Sequence, residues 1–199
     1  MKHNCIFEFI NRISQVFLLN GKINPTSMFH PHPPLPKDDA KTIDQAIQKI
    51  RFDKIENLYI FKNGKQIRRF RGTKKNVTIA QEFLFELRNA VVVHNHPSGS
   101  SFSIEDVRTI VEFNSLKLIL VTETATYTVE RPVKEWNINF DDETTMHNLN
   151  VCYNLALDLI DKLIGKNELT LFEKDKEIFH YIWVIFFQFY EINYQKTTF

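Results

Sequence analysis

The chain has 199 residues, of which 43% are apolar and 25% charged, with a formal charge of +1. That balance excludes a disordered chain and a globally basic nucleic-acid binder, so any polyanion contact has to come from a local patch. Two cysteines, Cys5 and Cys152, without CxxC spacing exclude a thiolate metal site and a disulfide framework, and they fit reduced thiols in the cytoplasm.

Ile6, Ile10, Ile13 and Phe17 recur at helical spacing and predict a short amphipathic helix. Glu8, Asn11 and Arg12 interrupt its apolar run and no small-residue cleavage site follows, so it does not read as an export signal. Asn20 to Lys41 is dominated by proline and predicts an extended linker, making residues 1–40 an N-terminal helix and linker. The His30-Pro31-His32 triplet in that linker has no strand to orient it and no carboxylate at a suitable spacing.

Thr42 or Asp44 can cap a helix running to Ile50. Asn63-Gly64 is a strong signal for a type I′ hairpin, because both residues accept positive φ, and it predicts paired strands over Glu56–Phe61 and Gln66–Arg71. Val77–Ile79 can extend the sheet, and Gln81–Arg88 reads as a helix with Glu82 and Glu86 on a solvated face. Ala90–Val93 is a β-branched apolar run that reads as a buried central strand ending at His94. A helix from Ser103 to about Asn114 and strands over Leu116–Val121 and Ala125–Glu130 follow, and Pro132 closes an α/β unit over residues 41–135.

Beyond it, Cys152, Leu155, Ala156, Leu159, Ile160 and Leu163 mark an amphipathic helix that Gly165 stops. Glu173 to about Tyr194 predicts a second helix, so residues 136–199 form a C-terminal helical extension. Its apolar run, Ile178 to Tyr190, is shorter than the ~20 residues a bilayer requires. The fold class expected is α/β, a mixed β-sheet flanked by helices. The apolar terminal helices are expected to pack on the core, or to serve a homo-oligomer or a partner protein.

Residues i and i+2 of a strand point to one face, so His94 and His96 can converge on one point at the strand end. Pro97 stops the strand, and Gly99 with its neighbouring serines lets the chain fold back, so that the next helix can bring Asp106 to the histidines. Two imidazoles, one carboxylate and an open position make up a catalytic zinc site. Ser103-Ile104-Glu105-Asp106 is also a capping-box pattern, and helix capping alone can explain those two residues. A base for a metal-activated water has to be a further carboxylate, and Glu56, entering a strand beside Ile55, Leu58 and Ile60, is the candidate.

His94-Asn95-His96-Pro97 followed by Ser103-Ile104-Glu105-Asp106 resembles the JAMM motif of the MPN+/JAB metalloprotease family. The wording is closest to RadC-like and phage-associated JAB proteins. The resemblance covers about Ile43 to Arg131. It implies an MPN-like fold with cytidine-deaminase-like layering, and Zn²⁺ on His94, His96 and Asp106. It also implies Glu56 as the residue that deprotonates the water, Ser103 as an oxyanion donor, and a protein or peptide substrate. Six residues separate His96 from Ser103, one fewer than the common pattern.

Two alternatives stand beside the peptidase. The basic hairpin, with Arg68, Arg69 and Arg71, fits either a charge-guarded sheet edge or DNA contact in a RadC-like protein. A phage- or toxin-associated JAB module with little independent activity would instead use the terminal helices for docking.

Overall fold

The computed structural model describes residues 40–133 and 135–199. The N-terminal helix, most of the proline-rich linker, Cys5 and the His30/His32 pair lie outside them. Six strands form one mixed sheet in the order β2-β1-β3-β4-β5-β6. They are β1 (Asn57–Lys62), β2 (Lys65–Arg71), β3 (Val91–Asn95), β4 (Lys117–Val121), β5 (Ala125–Glu130) and β6 (Tyr194–Thr198). The helices are α1 (Ile43–Ile50), α2 (Ile104–Glu112), α3 (Glu143–Gly165) and α4 (Leu171–Phe189). The expected α/β class is the observed one.

The β1–β2 turn takes φ of 51° at Asn63 and 73° at Gly64, as a type I′ hairpin requires. β1 pairs antiparallel with β3, which pairs parallel with β4. A parallel pair needs a crossover, and α2 supplies it. The loop from β3 into α2 is therefore the place where the sheet changes direction, and it carries the histidines.

Strand alternation divides the core. Tyr59, Phe61, Val93, Ile119 and Val121 pack with Ala46 and Ile50 of α1 on one face. Leu58, Ile60, Val92, Leu118 and Leu120 face α2 and the C-terminal helices on the other. Thr42 caps α1 by accepting the Gln45 N–H at 3.2 Å.

Four segments differ from the sequence expectation. Val77–Ile79 forms a strap rather than a strand. It passes over Gly72, where a Cβ would lie 2.0 Å from the Asn76 carbonyl oxygen and 2.7 Å from Val77 Cα. Gln81–Leu87 is a 3₁₀ helix. Its three-residue period sets Leu84 and Leu87 toward the core, and Phe83 and Glu86 toward Arg68. Gly165 ends α3 but does not close it. Asn167 takes the left-handed conformation at φ 59°, and the Glu168 N–H returns to the Leu163 carbonyl at 2.9 Å. The second C-terminal helix stops at Phe189, and the chain returns as β6 alongside β5.

The helical extension shares the core of the α/β unit. Trp136, Cys152, Ala156, Trp183, Phe186 and Phe187 belong to the same buried cluster as Val92 and Leu118. Of the stripe expected on α3, Cys152, Ala156 and Ile160 are buried, while Leu155 is half exposed. No described helix is long and apolar enough to cross a membrane.

The Gly72 crossing yields a first prediction. Gly72→Ala sets a methyl against backbone atoms that cannot rotate away, so the strap has to shift. The expected loss is about 1–3 kcal/mol, the usual cost of overpacking, read as a lower denaturant midpoint at unchanged slope. Wild-type stability in this variant would show that the strap is not held at this crossing.

Candidate metal centre

His94 and His96 lie at the end of β3 on the same face, with ring centroids 4.8 Å apart and ring planes at 89°. Both are buried, at 4% and 8% exposure. Glu56 lies one residue before β1 and is 6% exposed. Its backbone is fixed by the Thr73 carbonyl at 2.7 Å and the Gly72 N–H at 2.8 Å. Glu56 Oε2 stands 3.2 Å from His94 Nε2.

Asp106, in the first turn of α2, reaches both imidazoles. Its Oδ1 is 3.4 Å from His94 Nδ1, and its Oδ2 is 3.3 Å from His96 Nε2. These separations equal the ~3.3–3.4 Å between donor atoms around a tetrahedral zinc with bonds of ~2.0–2.1 Å, and they are made through both Asp106 oxygens and through His94 Nδ1, the nitrogen turned away from Glu56. Glu56, His94 and His96 can hold a metal ion, since each offers a ligand atom within 4.8 Å of the others'. The structure therefore sets both carboxylates against His94, Glu56 at Nε2 and Asp106 at Nδ1, and it is Glu56, expected as the base, that groups with the two histidines.

Hydrogen bonds orient this set. The His96 Nδ1 lies 3.3 Å from the Ser100 carbonyl oxygen. An N–H donated there leaves Nε2, which faces Asp106, with its lone pair free for a cation, the usual outer support of a metal-bound histidine. Ser103 and Asp106 form a full capping box. The Ser103 Oγ accepts the Asp106 N–H at 3.1 Å, and the Asp106 Oδ2 accepts both the N–H and the O–H of Ser103 at 2.7 Å. The capping and site readings of these residues thus coexist. In this arrangement the Ser103 hydroxyl proton points at Asp106.

Asn95, between the histidines, points to the opposite side and joins β3 to the Glu56 segment. Its Oδ1 accepts the Asn57 N–H at 2.7 Å, and its Nδ2 donates to the Ile55 carbonyl at 3.0 Å. Residues on both sides of Glu56 are held by one side chain. Sequence reasoning passed over Asn95, and the signal available was a polar residue at a buried strand position.

The loop from Pro97 to Phe102 is anchored by the C-terminal segment. The Trp183 Nε1–H donates to the Phe102 carbonyl at 2.7 Å, and the Tyr194 hydroxyl lies 3.1 Å from Ser101 Oγ. The Phe102 ring is fully buried, edge-on to Tyr127 and Tyr194. His180, on α4, stands 2.8 Å from the Tyr194 hydroxyl and has no part in the histidine pair. Residues of α4 and β6 thus fix the loop between the second histidine and Asp106.

The electrostatics call for a cation. Burial alone would lower the His94 pKa. The Asp106 and Glu56 carboxylates outweigh burial and hold it up at about 9. Burial would raise Asp106, but the His94 and His96 imidazoles beside it keep it well below the ordinary carboxylate range. In the metal-free protein a proton supplies the positive charge that the site requires. The His94 contribution to stability is complete below its ordinary value of 6.5 and is lost as pH rises through about 9. The Asp106 contribution is present above 3.8 and is lost as pH falls through its depressed value. Melting of the metal-free protein is therefore expected to drop between about pH 6.5 and 9, and bound metal, which replaces the proton, should remove that drop. A flat metal-free profile across this range would contradict the electrostatic picture.

The other expected residues lie elsewhere. Arg68 makes a bidentate pair with Glu86, at 2.8 Å through both Nε and Nη2, and stacks over Phe83. Glu86 is buried, not on a solvated face. Arg69 bonds the Asn57 side chain at 3.0 Å and covers the Tyr59 ring. Arg71 is exposed. Two of the three arginines that suggested DNA contact are thus engaged within the fold. No family model, no curated protein and no solved structure matches the chain.

Proposed function

We propose that this chain is a zinc-dependent metallopeptidase of the JAMM type, cleaving a peptide or isopeptide bond. The observation that carries the reading is the clustering of two buried histidines with two carboxylates, Glu56 at 3.2 Å from His94 Nε2 and Asp106 at 3.4 Å and 3.3 Å from His94 Nδ1 and His96 Nε2. Two neutral imidazoles and a carboxylate are the donor set of a hydrolytic zinc site. Zinc held there would act as a Lewis acid on the scissile carbonyl and make a water acidic near neutral pH.

His94, His96 and Asp106 are the ligands in this reading. Glu56 takes the proton of the attacking water and returns it to the leaving amine. Its position one residue before a central strand, held by Asn95 and the Gly72–Thr73 backbone, keeps the carboxylate facing His94. Ser103 holds Asp106 in the resting arrangement, and its hydroxyl can turn to donate to a developing oxyanion. The cleft, about 460 Å³, is bordered by Lys74, Lys75, Ser98 and Ser100.

The test is elemental analysis of the purified chain after zinc reconstitution, followed by incubation with a mixed peptide library and mass spectrometry of the products. One zinc per chain and metal-dependent cleavage are expected. A chain that takes up zinc but leaves every peptide and isopeptide substrate intact would remove the peptidase assignment.

A further inference from the structure

A second cavity opens beside the cleft. It measures about 250 Å³ and shares Val77, His94, Glu105 and Asp106 with the cleft. It is lined by Leu58, Val92 and Leu118 of the sheet, Thr109 and Ile110 of α2, Leu84 and Leu87 of the 3₁₀ helix, and Thr78 and Ile79 of the strap. Protein interiors are close-packed, and voids much larger than a water molecule are few. Apolar space of this size, open beside a candidate catalytic group, is suited to a ligand.

We propose that this cavity is a specificity pocket for one apolar side chain of the substrate, next to the bond to be cut. The inference rests on the metallopeptidase reading. Whole-ligand pockets typically run from about 300 to 1,000 Å³, so this volume suits a single leucine, methionine or phenylalanine side chain. Glu105 and Asp106 line the pocket, and they would repel an acidic side chain. Eight of its thirteen lining residues are aliphatic, and the polar ones are Thr78, Thr109 and the three groups shared with the cleft, His94, Glu105 and Asp106. Val77 lines both cavities. It sits on the strap that crosses Gly72 at backbone contact, so the wall is set by the fold. A substrate anchored at the histidines thus meets an apolar recess on the side of His94 that faces α2.

Hydroxamates test this without requiring turnover, because they chelate a metal with an open position and carry an arm of chosen chemistry. The zinc-loaded full chain is titrated with acetohydroxamate and with 3-phenylpropanohydroxamate. The phenyl arm is expected to tighten binding at least tenfold. Leu84→Trp, which fills the recess, should bring the two within about twofold and leave acetohydroxamate binding unchanged. Thr109→Phe fills it from α2 and serves if the first variant does not fold. Equal affinity of the two compounds for the wild-type chain, or a phenyl advantage that survives both fillings, would overturn the pocket while leaving the metal centre intact. Failure of both compounds to bind a zinc-loaded chain would overturn the metallopeptidase reading, and the pocket with it.

Discussion

Glu56→Gln is expected to keep one zinc per chain and to lower peptide hydrolysis by about 10²–10⁴-fold, the range that a positioned general base supplies. The amide preserves the shape of a buried side chain and can still accept a hydrogen bond from His94, but it cannot carry a proton from water to amine. The backbone of residue 56 is held by Thr73 and Gly72, and its neighbours by Asn95, so the substitution leaves the fold in place. Elemental analysis and turnover on the same preparation separate the outcomes. Loss of zinc together with activity would make Glu56 a ligand rather than a base, an assignment that its grouping with His94 and His96 also permits.

Asp106→Asn should have the larger effect on the metal itself. Removing an outer hydrogen-bond partner of a metal-bound histidine usually costs 10–100-fold in affinity. Asp106 contacts both histidines, and as a direct ligand its loss should exceed that range, to about a thousandfold or more. Asparagine can still accept the Ser103 N–H, so α2 keeps part of its cap and the change falls on the metal. Competition with a chromogenic chelator measures it. A loss inside the 10–100-fold range would place Asp106 outside the ligand set, as an acceptor that orients the two imidazoles.

The parts of this structure that could be read from sequence are those set by local rules. A two-residue strand period put His94 and His96 on one face, and Asn63-Gly64 fixed the hairpin. Ser103 and Asp106 followed from a helix-start pattern, which the structure completes as a capping box. What escaped depends on residues distant in the chain. Glu86 looked solvated because its partner Arg68 is 18 residues away. The strap at Val77 owes its path to Gly72, and its run of Val, Thr and Ile imitates a strand. β6 has a mostly exposed, polar alternation that pairs only because β5 offers an open edge. Asn95 carries no local signal beyond a polar residue on a buried strand, yet it ties the histidine strand to the residues flanking Glu56.

The C-terminal segment changes most in meaning. Read as a helical extension available for docking, it also supplies Trp183 and Tyr194 to the loop between His96 and Ser103. That loop is one residue shorter than the pattern it resembles, and in this chain it is held from the far end of the sequence. Leu171, Phe172 and Phe189 remain exposed on α4.

The most direct measurement is X-ray absorption at the zinc edge on the reconstituted 199-residue chain. The expected spectrum has four light ligands at about 2.0–2.2 Å with the multiple scattering of two imidazoles, and the imidazole signal falls to one in His96→Ala. Zinc that binds without imidazole scattering, or a chain that takes up no zinc at all, would contradict the metal centre.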